Sequence, residues 1–353
     1  MKRLKSALAL VLALMMVLAL GGCTLNSGTN WIAKSGDTTL PAGLYILNLS
    51  NNYSYAVSVL QQMYAEDAAS VDTGDVWKNS LDGKALNDWI TDETKDSIKD
   101  YFAVLNQFNE LGFTFDEADE ALITQEVENY WSQGKDSYEE TGVSKDSIRL
   151  QVESRYRSRK IFDSIYGKGG EKEVSDAELK SYYAENYQHI QYVSISIKDL
   201  EGDDLQKRKD LANEMITRAR AGEDFVSLLK ETERTLSLES GTAEADLPTR
   251  EDDYFDYTIS ASSESYYPAA MVTAAKEMAT DEMRVVTTDE ALILIKKLDP
   301  MADEKNFEEN RESILSAAKN DEFLEAVSQW GESLEITFNN SAVKRYAAKK
   351  MLG

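Results

Sequence analysis

One cysteine, Cys23, and one histidine, His189, stand among 353 residues. A single cysteine forms no intramolecular disulfide, and one Cys with one His is too little for a structural zinc site. A Cys–His or Ser–His–Asp catalytic arrangement would have to use His189. The fold must therefore rest on apolar packing, for which 42% hydrophobic and 9% aromatic residues suffice. We expect no metal and no cofactor.

Acidic residues outnumber basic ones across the chain. There are 63 Asp and Glu against 38 Lys and Arg, which gives a formal net charge of −25. Binding to a phosphate backbone needs clustered Lys and Arg. The charge balance therefore argues against a nucleic-acid partner. The abundance of carboxylates also makes any single pair uninformative as a glycosidase site.

The N-terminus has the parts of a secretory signal. Lys2, Arg3 and Lys5 precede 14 consecutive apolar residues at 7–20, a run shorter than the ~20 that a membrane-spanning helix needs. The run leads into Leu-Gly-Gly-Cys, which ends at Cys23. This resembles the bacterial lipobox, which implies cleavage before Cys23 and a diacylglycerol group on its sulfur. A plain secretory signal with an incidental cysteine is the alternative.

Cleavage there would leave a lipid-anchored chain. Residues 1–22 carry three positive charges and no negative ones, so the chain from Cys23 onward has a net charge of −28. Residues 24–30 are mostly small and polar, which suits a short tether. One or two acyl chains can hold a protein at a membrane surface. We expect the protein at the extracytoplasmic face of the cell membrane, held through lipid rather than through a basic patch.

The first part of the remaining chain is predicted to be helical. Residues 31–37 indicate a short strand and a turn, and Pro41 is placed to begin a helix of roughly 25 residues. Apolar residues then recur with the i, i+3, i+4, i+7 spacing of amphipathic helices. This spacing predicts a helix that ends at Leu111, a helix begun by a capping box of Thr114 and Glu117, and a helix capped by Ser144 or Ser147.

Beyond a glycine-rich boundary at residues 167–170, helices and strands alternate. Ser175 and Glu178 have the spacing of a capping box, and Tyr192–Ile197 alternate with a period of two, which predicts a strand. Residues 284–295 predict two further strands around a turn. The mixture indicates a small α/β or α+β domain.

The last part of the chain predicts one long helix and a short extra segment. The helix covers about residues 304–334, and we expect it to return to the N-terminal helices. Residues 338–353 contain two basic pairs, Lys344-Arg345 and Lys349-Lys350.

Several short motifs follow one another in a recognisable order. They are the lipobox, the Trp-Ile-Ala-Lys strand with its Gly-Asp turn, the helices, and the stretch Val-Ser-Asp-Ala-Glu-Leu-Lys-Ser-Tyr-Tyr from Val174. Residues 221–225, 267–277 and 285–296 are similar to parts of a parvulin domain. The order resembles the PrsA/SurA-type foldases, lipoproteins that carry a parvulin-type (rotamase) peptidyl-prolyl isomerase domain.

The resemblance implies an α+β fold. A mostly helical, SurA-like chaperone domain would be formed by N- and C-terminal segments, with an inserted parvulin-like α/β domain. The implied boundaries are a lipoprotein signal peptide at 1–22, a tether at 23–30, the N-terminal part of the chaperone domain at 31–170, the parvulin-like domain at 174–299, and a returning C-terminal helix at 304–353.

The chain departs from the family where parvulins carry their histidines. The family has one His on the first strand and a second on the last, facing each other near a Cys or Asp. Here the first position falls near Ser194 and the second on Leu292 or Ile293, while His189 precedes the predicted strand. Because isomerisation must lower a rotation barrier of ~18–20 kcal/mol, losing both polar groups predicts weak or absent isomerase activity. We therefore assign no catalytic residue.

Clustered aromatic residues are the candidates for binding client polypeptides. Amphipathic rings in a groove suit varied unfolded chains. The candidates are Tyr53, Tyr55, Tyr254, Phe255, Tyr257, Tyr266 and Tyr267.

The resemblance implies a membrane-anchored, extracytoplasmic chaperone or foldase. Its partners would be unfolded or partly folded secreted proteins, and its isomerase activity weak or lost. Two alternatives stay open. One is an active peptidyl-prolyl isomerase. The other is a solute- or peptide-binding lipoprotein of a transporter, a class that usually has two α/β lobes with parallel sheets.

Overall fold

The computed structural model describes residues 30–260, 266–302 and 304–353 of the chain. The proposed lipid attachment residue Cys23 and the signal sequence lie outside these residues. Helices predominate and the strands form small sheets, so the α+β, mostly helical fold expected from the sequence is confirmed. The chain divides into two compact units. Of the described residues, 30–173 and 320–353 form the helical unit, and those between 174 and 319 form the sheet unit.

The helical unit contains a small antiparallel sheet that joins the two ends of the chain. Strand β1 is Trp31–Ser35, β2 is Thr38–Pro41 and β9 is Thr337–Phe338, in the order β2–β1–β9. Ala33 pairs with Phe338, and the backbone N–H of Asn339 donates to the carbonyl of Ile32 at 2.8 Å. This pairing brings the C-terminal segment into the same unit as the N-terminal strands.

Four long helices make up most of the helical unit. They are α1 (Ala42–Glu66), α2 (Leu86–Glu110), α3 (Glu117–Thr141) and α4 (Lys145–Tyr166), with a two-residue hairpin, β3 (Ser80–Leu81) and β4 (Lys84–Ala85), before α2. Helix α2 packs against α1 and α4, and α3 packs against α4. Their shared core includes the fully buried side chains of Leu44, Tyr45, Leu49, Ile90 and Ile98.

The caps of these helices follow local hydrogen-bonding chemistry. Ser144 caps α4, because its hydroxyl accepts from the backbone N–H of Ser147. The predicted Thr114–Glu117 box before α3 is wrong. Asp116 and Asp119 form the capping box instead, each carboxylate accepting from the other's backbone N–H. The acidic cluster at this helix start thus satisfies the first-turn donors.

The sheet unit alternates helices with an antiparallel sheet. Its elements are α5 (Asp176–Asn186), β5 (Tyr187–Ser196), α6 (Gly202–Arg220), α7 (Phe225–Glu239), β6 (Asp256–Ser260), α8 (Ala269–Glu277), β7 (Met283–Thr287) and β8 (Ala291–Leu298). The strand order is β6–β5–β8–β7, with every pair antiparallel. The predicted capping box at the start of α5 is present, with the Ser175 hydroxyl and the Glu178 carboxylate bonded to each other's backbone N–H.

The two faces of this sheet have separate cores. On one face, α6 and α7 cover Ile195 of β5 with Leu292 and Leu294 of β8. On the other face, α8 covers Ile190 of β5 and Ile293 of β8. Alternation along each strand therefore assigns neighbouring residues to opposite faces.

Two strands of the sheet unit differ from the sequence expectation. Strand β5 begins at Tyr187 rather than Tyr192, so His189 lies inside the strand, paired with Thr258 and Leu298. Strand β6 was not predicted. Helix α6 begins at Gly202, and Asp203 and Asp204 in its first turn interact favourably with the positive end of the helix dipole.

The last helices complete the helical unit. Helix α9 spans Glu304–Glu332; its residues up to 319 group with the sheet unit and those from 320 with the helical unit. This differs from the expected division, in which the whole segment from 304 belongs with the N-terminal helices. Two short helices follow, α10 (Asn340–Arg345) and α11 (Ala348–Leu352), which pack on β1 and on α1 and α2 respectively. Across the described ranges, no helix has the length and apolarity that crossing a membrane requires.

Candidate functional site

A shallow cleft opens on the α8 side of the sheet unit, where α8 leaves the strand ends uncovered. Its volume is about 550 Å³. The floor comes from Ser194 and Ser196 at the end of β5 and from Ala291 at the start of β8. The remaining lining residues are Lys198, Pro268, Thr288, Asp289 and Glu290. We call this hollow the sheet cleft.

The strand register places the two positions at which parvulins would carry histidine. Ser194 on β5 is the direct partner of Ile293 on β8, and the two share the α8 side of the sheet. Leu292 pairs with Ile195 and packs on the opposite side, against α6 and α7. Of the two last-strand candidates, only Ile293 therefore faces the same way as Ser194. It is 1% exposed beneath α8, whereas Ser194 is exposed.

The lone histidine stays outside the sheet cleft. Residues of one strand alternate between faces, and His189 is five positions from Ser194. Its side chain is therefore on the other face of β5. The cleft floor therefore contains neither of the two histidines that a parvulin would carry.

Three tyrosines form an aromatic cluster next to the sheet cleft. Tyr192 is two residues from Ser194 on β5, Tyr257 lies on β6, and Tyr267 precedes the cleft residue Pro268. The ring centroids of Tyr192 and Tyr257 are 4.6 Å apart, and Tyr267 lies 6.2 and 6.3 Å from them. These are tilted or edge-on contacts typical of stabilising aromatic pairs. We call these residues the tyrosine wall.

Burial changes the acidity of the tyrosine wall. Removal from water, with the neighbouring phenol groups of Tyr257 and Tyr267, raises the pKa of Tyr192 to about 12. Burial likewise raises the pKa of Tyr257. The rings of Tyr192 and Tyr257 are thus neutral hydrogen-bonding groups throughout the physiological range.

Two charged residues at the rim of the sheet cleft pair with each other. Lys198 Nζ lies 2.8 Å from Glu290 Oε1, and this contact raises the lysine pKa. Thr288 is held in the turn between β7 and β8, where its hydroxyl accepts from the backbone N–H of Ala291 at 2.9 Å. In contrast, the hydroxyl groups of Ser194 and Ser196 form no hydrogen bond with any other described residue.

The remaining aromatic candidates lie in different settings. In the helical unit, Tyr55 is 62% exposed and stacks on Trp89, while half-buried Tyr53 stacks on Trp77. In the sheet unit, Tyr254 is exposed under the guanidinium of Arg250, 4.0 Å from its ring centroid, and Tyr266 is 86% exposed.

Phe255 is not available to a client. It is 2% exposed and belongs to the core beneath α6 and α7. The sequence placed it in an aromatic run, but the 3₁₀ turn at Asp252–Phe255 directs it inward while Tyr254 stays outside.

The sheet cleft combines two kinds of surface that suit an extended polypeptide. The tyrosine wall offers apolar area with phenol groups at its edge. The serine hydroxyls offer donors and acceptors of the kind that a peptide backbone needs. Sequence reasoning missed Ser196 and Pro268 as lining residues and Tyr192 as a member of the tyrosine wall. The period-two alternation of β5, extended to its full length, would have placed Tyr192, Ser194 and Ser196 on one face.

A second hollow, in the helical unit, is lined by charged residues that pair with one another. It runs along the start of α2, and Lys84 and Asp92 form its closest pair at 2.7 Å. Their hydrogen bond raises the lysine pKa and lowers that of the aspartate. Within the described parts of the chain, no group of three or more His, Cys, Asp or Glu side chains is arranged to hold a metal ion.

Comparisons with known proteins gave matches among solved structures only. No protein-family model matches the chain, and no curated protein matches it. The foldase protein PrsA from Lactococcus lactis is 12% identical, with 91% of this chain and 99% of that chain covered and a TM-score of 0.36. PrsA from Streptococcus pneumoniae is 15% identical, with 76% and 97% covered and a TM-score of 0.35.

PrsA from Bacillus subtilis is 18% identical, with 76% of this chain and 86% of that chain covered and a TM-score of 0.25. Identities and TM-scores of this size establish no shared activity. What the chain is similar to, in these structures as in its sequence motifs, is the PrsA type of foldase.

Proposed function

We propose that the protein is a membrane-anchored extracytoplasmic folding factor that binds unfolded secreted polypeptides, with weak or lost peptidyl-prolyl isomerase activity. The sheet cleft beside the tyrosine wall carries this proposal. Its floor presents serine hydroxyls that have no hydrogen-bond partner among the described residues, and its wall presents aromatic rings. This combination selects for extended backbone and apolar side chains rather than for one defined small molecule.

Weak isomerase activity is proposed because the cleft floor has no titratable group. Ser194 supplies only a hydroxyl, and its partner Ile293 is aliphatic and covered by α8. Lowering the rotation barrier of ~18–20 kcal/mol requires groups that stabilise the twisted amide. A proline ring could sit against the tyrosine wall, but the polar assistance on the facing strand is missing.

The anchor and the domain roles belong to the same proposal. Lipid on Cys23 would hold the chain at the extracytoplasmic face of the membrane, and the strongly acidic body would discourage adhesion between copies. We propose the helical unit as the chaperone domain and the sheet unit as its parvulin-like insert. Exposed Tyr55 would add a second contact for clients on the helical unit.

The solute-binding alternative gains no support from the fold. That class usually has two α/β lobes with parallel sheets. All strand pairs among the described residues are antiparallel, and the helical unit holds only small two- and three-stranded sheets.

Suppression of aggregation tests the proposal. A reduced, unfolded test protein is diluted into buffer with or without the chain from residue 23 onward. We expect concentration-dependent suppression. A cleft-filling variant, Ser196→Trp, should weaken it several-fold, because the indole would occupy the exposed floor. Ser181→Trp, at an exposed position of α5, is the matched control and should behave like the parent.

A proline-peptide assay separates the isomerase alternative. We expect little acceleration of cis–trans exchange by the parent chain. Strong acceleration that disappears in Ser194→Ala would support the active isomerase.

In the aggregation assay, no suppression at several-fold molar excess of the chain would contradict the folding-factor proposal.

A further inference from the structure

The C-terminal segment is a local exception to the acidic character of the protein. Residues 336–353 contain no Asp or Glu, and they carry Lys344, Arg345, Lys349 and Lys350 in a chain whose net charge is −25. These four residues are all exposed, at the ends of the short helices α10 and α11. We call them the basic patch.

The cations of the basic patch have no acidic partners among the described residues. None of the four lies within salt-bridge distance of a described carboxylate, whereas most basic residues of α2, α4 and α6 are paired. Lys350 Nζ donates to the carbonyl of Lys344 at 2.8 Å, which brings the two basic pairs together. Their positive charge is thus concentrated and uncompensated by direct contacts.

The basic patch lies where the chain enters the helical unit from its N-terminus. Asn30 Nδ2 donates to the hydroxyl of Tyr346 at 3.1 Å, and Tyr346 stands between the two basic pairs in sequence. Asn339 Nδ2 donates to the carbonyl of Trp31 at 3.1 Å. Lys34 on β1 adds another exposed cation, 4.6 Å from the Trp31 ring centroid.

This entry point is close to the proposed lipid attachment residue. Asn30 lies seven positions after Cys23, and seven fully extended residue steps span at most about 25 Å. A lipid on Cys23 would therefore keep Asn30, and the basic patch beside it, within that distance of the bilayer surface. Electrostatic attraction to an anionic surface acts over roughly 8–10 Å at moderate ionic strength. The tether leaves the basic patch free to approach the bilayer surface to within that distance.

We propose that the basic patch binds the anionic lipid headgroups of the membrane to which the protein is attached. The lipid chain and the patch would act as two signals, since a single acyl chain anchors a protein only marginally and a basic patch adds to it. Contact through the patch would turn toward the bilayer the part of the helical unit that contains Asn30 and the C-terminal segment. This proposal differs from the expectation that the lipid alone makes the membrane contact, and it rests on the proposed lipid attachment at Cys23.

Vesicle partitioning of the lipidated chain tests this proposal. Vesicles of phosphatidylcholine alone are compared with vesicles that also contain phosphatidylglycerol. We expect binding to neutral vesicles through the lipid, and tighter binding to the anionic vesicles at low salt. The quadruple variant Lys344→Gln, Arg345→Gln, Lys349→Gln, Lys350→Gln should bind anionic vesicles roughly tenfold more weakly or worse, and neutral vesicles equally.

Two further variants separate the patch from net charge and from folding. The control Lys207→Gln, Lys209→Gln, Arg234→Gln, Lys276→Gln removes four exposed cations of the sheet unit and should keep anionic binding within about twofold of the parent. The triple variant Lys344→Arg, Lys349→Arg, Lys350→Arg preserves the charge and should preserve binding. High salt should remove the difference between parent and quadruple variant.

The possible failures are distinguishable. If the quadruple variant binds anionic vesicles like the parent, or if the sheet-unit control weakens binding as much, the proposal is overturned while the lipid anchor stands. If the parent fails to bind neutral vesicles, the proposed lipid anchor fails instead. Loss of aggregation suppression in the quadruple variant, with vesicle binding unchanged, would assign the patch to clients and overturn the membrane role.

Discussion

Ser194 and Ile293 are direct partners across β5 and β8, yet one is exposed to the sheet cleft and the other is buried beneath α8. The two positions at which a parvulin would hold facing histidines therefore differ in their surroundings as well as in their chemistry. Ile293 is a core residue, and only Ser194 is open to a bound polypeptide.

Truncating these partners should have unequal effects. Ile293→Ala should lower the free energy of unfolding by ~2–4 kcal/mol, because it leaves a cavity under α8. Ser194→Ala should change it by less than ~0.5 kcal/mol. Denaturant titration measures both. Equal costs would show that the two side chains share one environment, contrary to the buried and exposed positions described above.

High pH should destabilise the sheet unit through Tyr192. The ordinary tyrosine pKa is 10.0, and in the folded protein that of Tyr192 is about 12. A group whose folded-state pKa is raised contributes stability that is complete below the unfolded-state value and is lost as pH rises through the folded one. We therefore expect the free energy of unfolding to decline between pH 10 and 12.

Tyrosinate absorbance and denaturant titration across this range measure the decline. Tyr192→Phe should remove part of it, leaving the contributions of the other tyrosines whose pKa burial raises, among them Tyr45, Tyr166 and Tyr257. Tyr266→Phe, at an exposed position, is the control and should leave it in place. A decline unchanged by Tyr192→Phe would contradict the assignment to Tyr192.

The C-terminal segment should be integral to the helical unit. Tyr346 is fully buried and accepts a hydrogen bond from Asn30. Tyr346→Ala should cost ~3–5 kcal/mol through the cavity it leaves. Tyr346→Phe removes only the hydroxyl and should cost ~1 kcal/mol. A cost below ~3 kcal/mol for Tyr346→Ala would mean that residues 337–353 contribute little to the stability of the helical unit.

Close packing between α1 and α4 leaves no room for a side chain at Gly43. A Cβ at this position would overlap the hydroxyl of the buried Ser147, with the Ser147 Cβ only 3.1 Å away. Alanine usually stabilises a helix relative to glycine by roughly 0.5–1 kcal/mol. Here we expect Gly43→Ala to destabilise by ~1–3 kcal/mol because of overpacking.

A double-mutant cycle measured by thermal or denaturant unfolding tests the cause. Adding Ser147→Ala to Gly43→Ala should recover part of the loss, since the overlapping hydroxyl is gone. Strict additivity of the two changes would contradict a direct clash.

Local signals predicted the elements whose chemistry is local. The Ser175–Glu178 box, the Ser144 cap and the two strands after residue 283 depend on neighbours within a few positions. Residues 42–66 form a helix of the predicted length after Pro41. These features need no knowledge of distant partners.

Features set by distant partners were missed or misplaced. Strand β6 contains only one fully buried apolar residue, Ile259, and its extended form is stabilised by pairing with β5. The early start of β5, which includes His189, follows from pairing with both β6 and β8. The sheet cleft also depends on where α8 stops covering the sheet, which no single segment encodes.

The central claim is that unfolded polypeptide binds in the sheet cleft, and site-specific photo-crosslinking tests it most directly. A photoreactive side chain is placed at Ser194, or at Ser181 as the exposed control in the same unit, and the chain is mixed with a reduced, unfolded polypeptide. We predict crosslinked adducts predominantly from position 194, diminished by Ser196→Trp in the same chain. Equal adducts from both positions, or none from position 194, would contradict the account.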